Sequence, residues 1–240
     1  MIGNQTDKLI KDMTGKHCGT VVFKIEFETL CSDDGKVCNA RMEHLAMLCS
    51  NMRNSGLNVL LVSSGAIALG ACSLNMPSMP IGITAKQATA AVGQAELIML
   101  YQDCFDRFGQ TVAQVLLTCD AAEDPVRKTN ARNTLARLLQ KGIIPVINEN
   151  DSVSTTDIIL NDNYPLALVA SELTEADAIV ITTSDPDNLI VFIKGYPSVI
   201  TAGTGELIEL TGLLDKGEYD HFIGTGGFPG YNEYAGATIN

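Results

Sequence analysis

The stretch VLLVSSGAIALG (residues 59–70) joins an apolar run directly to an Ala-rich helical pattern, with Ser63-Ser64-Gly65 between them. The apolar run is typical of a buried strand. Where a helix begins directly after a strand, its free backbone N–H groups and its positive dipole end favour an anionic ligand. Ser64 would add a hydroxyl donor to such a site. The same residues also fit a plain helix cap formed by Ser64, and both interpretations stay open.

A second stretch, IIPVINENDSVS (residues 143–154), ends an apolar run in four polar residues, Asn148, Glu149, Asn150 and Asp151. Ligands of open α/β sheets bind at the carboxyl ends of the strands, so these side chains mark a candidate substrate pocket. Asp151 is suited to pair with a substrate ammonium group. An ordinary Asx-rich turn is the commoner explanation of such residues and stays open.

Other apolar runs alternate with longer helical patterns along the chain. Strands are predicted at residues 20–27, 58–62, 111–117, 143–148 and 178–183, and helices at residues 41–54 and 84–108 and from Pro125 to a stop at Gly142. This alternation indicates a largely parallel sheet with helices on both faces. Gly93 interrupts the second helix at a cost of about 1 kcal/mol relative to Ala, so we expect a close packing or binding contact there.

Composition limits the class of protein. The 240 residues are 46% hydrophobic and 18% charged, which fits one large α/β domain or one domain with a small appendage. A net charge of −12 argues against nucleic acid and anionic membrane as partners, because both need clustered Lys and Arg. Residues 1–14 lack the apolar stretch of a signal peptide, and no apolar run is long enough to cross a bilayer. The sequence therefore predicts a cytoplasmic protein.

The cysteines give no metal-ligand spacing. All seven lie in the first half of the chain: Cys18, Cys31, Cys38, Cys49, Cys72, Cys104 and Cys119. Because they are scattered and odd in number, we predict reduced thiols and no metal site.

Three further segments are candidates for ligand binding. LNDNYP (residues 160–165) opens an apolar helix, with Asp162 and Asn163 placed to cap it. TTSDPDNL (residues 182–189) is another strand end followed by acidic turn residues. The loop GTGGFPG (residues 224–230) is dense enough in glycine to bring backbone N–H groups against a phosphate, although a flexible tail has the same composition.

Taken in order, the segments VSSGAIALG, AKQATAAVGQ, AQVLLT, NARNTL and PVINENDSV resemble the glutamate 5-kinase family over residues 20–231. The pairing of SGAIALG with INEND, about eighty residues apart, is far more specific than sheet patterning. The resemblance implies the amino-acid-kinase fold, a three-layer αβα sandwich with a mainly parallel central sheet. It also implies transfer of the ATP γ-phosphoryl group to the side-chain carboxylate of L-glutamate, with Mg²⁺, as the first step toward proline. The family is usually dimeric or tetrameric, which implies a homo-oligomer.

The resemblance also assigns roles to individual residues. It places substrate binding at Ser64, Gly65, Ala66, Asp151 and Asn163, catalysis at Lys24 and Asp162, and nucleotide binding at Ser184, Asp185, Gly224, Thr225, Gly226 and Gly227. Lys24 would neutralise phosphate oxygens during transfer. Residues 1–17 are expected to be an N-terminal extension and residues 18–240 a single domain, with a substrate half at about 18–163 and a nucleotide half at about 164–240.

The chain departs from the family pattern directly after Lys24. The family has a small Gly-Ser/Thr loop there, whereas this sequence has Ile25-Glu26-Phe27-Glu28. A carboxylate about 4 Å from a phosphate charge costs about 4 kcal/mol at an effective dielectric constant of 20. The two glutamates therefore predict weakened phosphate binding.

Two other departures fall on charged positions. Tyr164 stands where the family has a second aspartate, and Pro165 replaces the polar residue after it. Tyr231 stands where the family has a second phosphate-binding lysine, preceded by Phe228-Pro229-Gly230. The family's closing strand and helix are also missing from the pattern, which predicts a fold short of its C-terminal elements. Three functions stay open: a glutamate 5-kinase with impaired turnover, a catalytically silent glutamate-binding relative or partner subunit, and an altered chain without selected function.

Overall fold

The computed structural model describes residues 19–32, 35–155, 163–182, 189–193 and 199–202. The predicted N-terminal extension and all predictions for residues 203–240 lie outside the described residues, and the predicted shortening of the fold at its C-terminal end stays a prediction. None of the described helices is long and apolar enough to cross a membrane.

In the part of the chain that the structure describes, the centre of the fold is a seven-stranded sheet in the order β3-β4-β2-β1-β5-β6-β7. Its strands are β1 (Thr20–Ile25), β2 (Asn58–Ser63), β3 (Val112–Leu117), β4 (Ile144–Glu149), β5 (Ala178–Thr182), β6 (Leu189–Ile193) and β7 (Val199–Ala202). The pairs among β1 to β5 are parallel, whereas β6 and β7 continue the sheet in antiparallel pairing. The predicted α/β class with a mainly parallel sheet is confirmed.

Five α-helices flank this sheet in the described residues. They are α1 (Asn39–Asn54), α2 (Ala66–Ser73), α3 (Ile83–Asp106), α4 (Pro125–Gln140) and α5 (Tyr164–Thr174). The Asp124 side chain caps α4 by accepting from the N–H of Arg127 at 2.8 Å. The helix then stops before Gly142, whose φ of 75° is the left-handed conformation that a helix end favours in glycine.

Among the described residues, two separate hydrophobic clusters cover the two faces of the sheet. Val21, Phe23 and Ile25 of β1 belong to the first cluster, which also takes buried residues from α1 and α3. Val22 of the same strand belongs to the second, which takes residues from α4 and α5. Successive strand residues point to opposite faces, so an uninterrupted apolar strand requires cover on both sides. The arrangement is the expected three-layer αβα sandwich.

The helices α2 and α3 approach so closely that only glycine fits at their crossing. A Cβ atom added to Gly93 would lie 1.8 Å from the carbonyl oxygen of Ala66 and 2.5 Å from the backbone nitrogen of Gly70. A Cβ atom on Gly70 would lie 2.0 Å from the carbonyl oxygen of Thr89. The predicted close contact at Gly93 is confirmed, and the contact is with helix backbone.

The first strand ends two residues earlier than predicted. Ile25 is its last residue, and Phe27 begins a short 3-10 helix, Phe27–Leu30. The apolar pattern did not show this end because Phe27 is itself buried, with 4% of its surface exposed. Its backbone N–H donates to the Oγ of Ser64 instead of continuing a strand ladder.

Candidate functional site

Four neighbouring strands deliver polar residues to one edge of the sheet. The strands β4, β2, β1 and β5 are adjacent and parallel, so their carboxyl ends lie side by side. Glu149, Ser63, Ile25 and Thr182 are the last residues of these strands. Ligands of such sheets bind beyond this edge, which makes it the candidate site.

Lys24 is buried at the end of β1, with 0% of its side chain exposed, and forms an ion pair with Glu26. Burying an ammonium group without an anion is costly, so this carboxylate stabilises the buried cation. The side chain of Glu26 is 35% exposed. Glu28, by contrast, lies exposed in the following 3-10 helix. Of the two predicted obstacles to phosphate, Glu26 is therefore the one in contact with Lys24.

At the end of β2, Ser64 and Gly65 lead into α2. Gly65 has a φ of 108°, and a Cβ atom there would lie 2.2 Å from Cγ of Phe27, so only glycine fits. The Oγ of Ser64 accepts from the N–H of Phe27 at 3.0 Å. The alternative interpretation of Ser64 as a helix cap is wrong, because Gly65 is the N-cap residue and α2 receives no side-chain cap. Ala66 is the first residue of α2 and is 3% exposed.

The end of β4 brings two carboxyl groups into a buried position. Glu149 is 1% exposed and Asp151 is 8% exposed. Burial, and then the charge of Glu149, raise the pKa of Asp151 to about 6. Burial also raises the pKa of Glu149, against hydrogen bonds from Ser154 and Cys119 that lower it. The expected turn follows, with the N–H groups of residues 153 and 154 both donating to the carbonyl oxygen of Asn150, so the turn and the carboxyl pair coexist.

Asn163 carries a buried amide that makes no hydrogen bond among the described residues. It is the N-cap residue of α5 and is 2% exposed. The predicted capping by its side chain is not observed, because that side chain forms no cap hydrogen bond. Within the part of the chain that the structure describes, neither Oδ1 nor Nδ2 has a hydrogen-bond partner. Leaving such a group unsatisfied costs about 1–3 kcal/mol, so the amide calls for an explanation, of which a bound ligand is one.

The position of Asn163 follows from the chain direction. Helix α5 leads directly into β5, which runs parallel to β1. A helix that returns the chain to the start of a parallel strand must itself begin at the carboxyl edge of the sheet. The unused amide of Asn163 therefore lies at the same edge as Ser64 and Asp151.

Two glutamines that sequence reasoning missed fix the loop after β4 to helix α3. Gln87 donates from Nε2 to the carbonyl oxygen of Asp151 at 2.7 Å, and Gln94 donates in the same way to that of Glu149 at 3.4 Å. Both lie on α3 seven residues apart, which places them about two turns apart on the same face of the helix. This spacing was the signal in the sequence that could have identified them. Because Gly93 of the same helix contacts the start of α2, one helix positions both sides of the site.

Some predicted site residues lie outside the described residues. These are Asp162, Ser184, Asp185, Gly224, Thr225, Gly226 and Gly227. The structure brings together Lys24, Ser64, Gly65, Asp151 and Asn163 at one edge, while the assigned roles of all these residues stay predictions.

Comparison with known proteins gives consistent matches. Residues 20–187 match the amino acid kinase family. The glutamate 5-kinase of Listeria welshimeri serovar 6b is 38% identical over 221 residues, covering 84% of this chain and 80% of that protein. The glutamate 5-kinase of Bifidobacterium longum is 36% identical over 230 residues, covering 88% of this chain and 60% of that protein. The solved carbamate kinase from Giardia lamblia bound to AMP-PNP has a TM-score of 0.45 and 13% identity, covering 69% of this chain and 71% of that one.

Proposed function

Because the chain belongs to the amino acid kinase family, and within it to the glutamate 5-kinases, we propose that it phosphorylates the side-chain carboxylate of L-glutamate with ATP. The product is L-glutamyl 5-phosphate, the first intermediate on the route to proline. One observation carries this proposal: the buried amide of Asn163, which has no hydrogen-bond partner among the described residues, at the edge that also holds Ser64 and Asp151. Such an amide fits a ligand that offers both donors and acceptors, as an amino acid does.

The residues at the edge match the groups of glutamate. Asp151, in its ionised form, pairs with the ammonium group, and the start of α2 with Ser64 faces a carboxylate. Asn163 supplies one donor group and one acceptor to the same ligand. The hydroxyl oxygen of Ser64 already accepts from the N–H of Phe27 at 3.0 Å. To donate to a ligand carboxylate, its O–H must leave the carbonyl oxygen of Ile25, which it contacts at 3.4 Å.

Phosphoryl transfer joins a carboxylate oxygen of glutamate to the γ-phosphorus of ATP and releases ADP. The protein contributes mainly position and charge to such a reaction. Lys24, buried at the end of β1, would supply positive charge to the transferring phosphate. Mg²⁺ would accompany the phosphates of the nucleotide. Since Lys24 is paired with Glu26 and the buried Tyr164 replaces an aspartate, we expect turnover well below that of an unaltered kinase site.

We also propose that residues 18–240 act as one domain, with a substrate half at about 18–163 and a nucleotide half at about 164–240. A cytoplasmic homo-oligomer, dimeric or tetrameric, is part of the same proposal. Light scattering coupled to size-exclusion chromatography measures that assembly state.

Calorimetry and a product assay test the function together. L-Glutamate and Mg-ATP are titrated separately, and acyl phosphate is trapped as the hydroxamate. We expect glutamate binding and slow, ATP-dependent hydroxamate formation. L-Glutamine is the matched control, since it keeps the α-amino and α-carboxylate groups but offers no attacking carboxylate. Glutamate binding without any product at saturating ATP would favour the catalytically silent relative, and absence of glutamate binding would reject both.

The affinity for glutamate is expected to depend on pH. Only ionised Asp151 attracts the ammonium group, and its pKa in the free protein is about 6. Affinity should therefore be constant well above pH 6 and fall toward tenfold per unit below it. Calorimetry from pH 5 to 8 in two buffers of different ionisation enthalpy measures both the affinity and the proton released on binding. A constant affinity over this range would show that Asp151 does not bind the ammonium group.

A further inference from the structure

The residues after β1 form a short turn that is fixed to both neighbouring strands. We call residues 26–30 the β1 turn. The N–H of Glu26 donates to Oγ1 of Thr182 at 3.0 Å, and the N–H of Phe27 donates to Oγ of Ser64 at 3.0 Å. Oγ1 of Thr29 donates to the carbonyl oxygen of Glu26 at 2.6 Å and lies 3.0 Å from Oγ1 of Thr182. These contacts fix the β1 turn to the ends of β2 and β5.

The first residue of the β1 turn brings a carboxylate to a buried cation. Lys24 is wholly buried, whereas the Glu26 side chain paired with it is 35% exposed. In this ion pair the cation, Lys24, is buried in the protein, and the anion, Glu26, is partly exposed to solvent. At the edge of the sheet where ligands bind, a buried ammonium group is a site for an external anion. Here the chain supplies that anion itself.

The second residue of the β1 turn, Phe27, lies against the start of α2. The ring of Phe27 contacts Gly65 so closely that an added Cβ atom would lie 2.2 Å from its Cγ. The backbone N–H of Phe27 also donates to the hydroxyl oxygen of Ser64, whose O–H donates to the carbonyl oxygen of Ile25 at 3.4 Å. Consecutive residues of one turn therefore contact both the buried cation and the start of α2.

We propose that Glu26 is an internal competitor of phosphate. A polyphosphate reaches Lys24 only when the carboxylate of Glu26 leaves it, so Glu26 sets the affinity of this chain for a nucleoside triphosphate. The identity of that ligand as ATP rests on the proposed function, whereas the competition at Lys24 does not. In the proposed function glutamate is held by Ser64, Asp151 and Asn163, so its binding is measured separately from that of phosphate.

The test compares two charge-neutralising variants in the same turn. Glu26→Gln removes the charge but keeps an amide oxygen that accepts from Lys24. Glu28→Gln makes the same change in net charge at an exposed position two residues on, and is the matched control. Mg-ATP and inorganic tripolyphosphate are titrated by calorimetry at fixed ionic strength. We expect Glu26→Gln to bind both at least about tenfold more tightly than wild type, and Glu28→Gln to stay within about twofold.

Three outcomes would overturn the proposal: no gain in Glu26→Gln, an equal gain in Glu28→Gln, or a gain that survives in the double variant Lys24→Met with Glu26→Gln. Thermal melting confirms that each variant is folded, and Glu26→Ser gives a second uncharged side chain should the amide not fold. L-Glutamate is titrated into the same proteins. If none binds glutamate, the proposed function fails, while the comparison of the two glutamine variants still decides whether Glu26 competes with phosphate.

Discussion

Replacing Gly93 by alanine is expected to lower the free energy of unfolding by about 3 kcal/mol. The added Cβ atom would lie 1.8 Å from the carbonyl oxygen of Ala66, and no side-chain rotation relieves a clash with helix backbone. The two helices must separate instead. For a chain of this length the loss corresponds to a fall of roughly 6–12 °C in the melting temperature, which differential scanning calorimetry measures.

The same substitution should weaken glutamate binding at temperatures where the variant is still folded. Helix α3 contacts the start of α2 through Gly93 and holds the loop after β4 through Gln87, so a shift of α3 moves both sides of the site. Ala95→Val is the control, because it adds more volume to the same helix at an exposed position. A melting temperature for Gly93→Ala within about 2 °C of wild type would contradict the close crossing.

Much of the fold could be predicted because its central strands are apolar on both faces. A continuous apolar run such as residues 59–62 is easily recognised as a strand. Its side chains point to both faces of the sheet, so helices must cover both faces. The strands β6 and β7 were missed because they join the sheet in antiparallel pairing, outside the strand–helix alternation that identified the others. The order of the strands was not predictable, since it depends on which helices pack together.

The candidate site was predictable in its residue types but not in its contacts. Polar residues after buried strands identified Ser64 and Asp151, because parallel strands end at one edge. The pairing of Lys24 with Glu26 was not visible, since sequence shows two nearby charges without the direction of either side chain. The contacts of Gln87 join residues 64 positions apart in the chain, and no local pattern indicates them.

Asp151→Asn should have the largest effect on ligand binding, a loss of at least about 100-fold in affinity for L-glutamate. The amide cannot form an ion pair with the ammonium group, yet it fills the same space. Asp103→Asn, on the exposed face of α3, makes the same chemical change away from the site and should leave the affinity unchanged. Calorimetry at pH 7.5 measures all three proteins. Unaltered affinity in Asp151→Asn would remove Asp151 from the proposed substrate site.

The same variant should be more stable than wild type in the absence of ligand. Asp151 is 8% exposed and beside Glu149, and its pKa is raised from 3.8 to about 6 in the folded protein. A raised carboxyl pKa means that the folded state favours the proton. The protonated group therefore contributes stability below pH 4, and this contribution is lost as the pH rises through 6. Asparagine at position 151 is uncharged at every pH, so the variant does not lose stability as the pH rises through 6.

Melting curves of wild type and Asp151→Asn should therefore coincide near pH 4 and separate above pH 6. The variant is expected to melt a few degrees higher there, roughly 2–4 °C for a gain of about 1 kcal/mol. Saturating glutamate should reverse the order at neutral pH, because it stabilises only the protein that binds it. A variant that loses both glutamate affinity and stability at pH 7.5 would show that Asp151 holds the loop after β4 in place, and not the substrate.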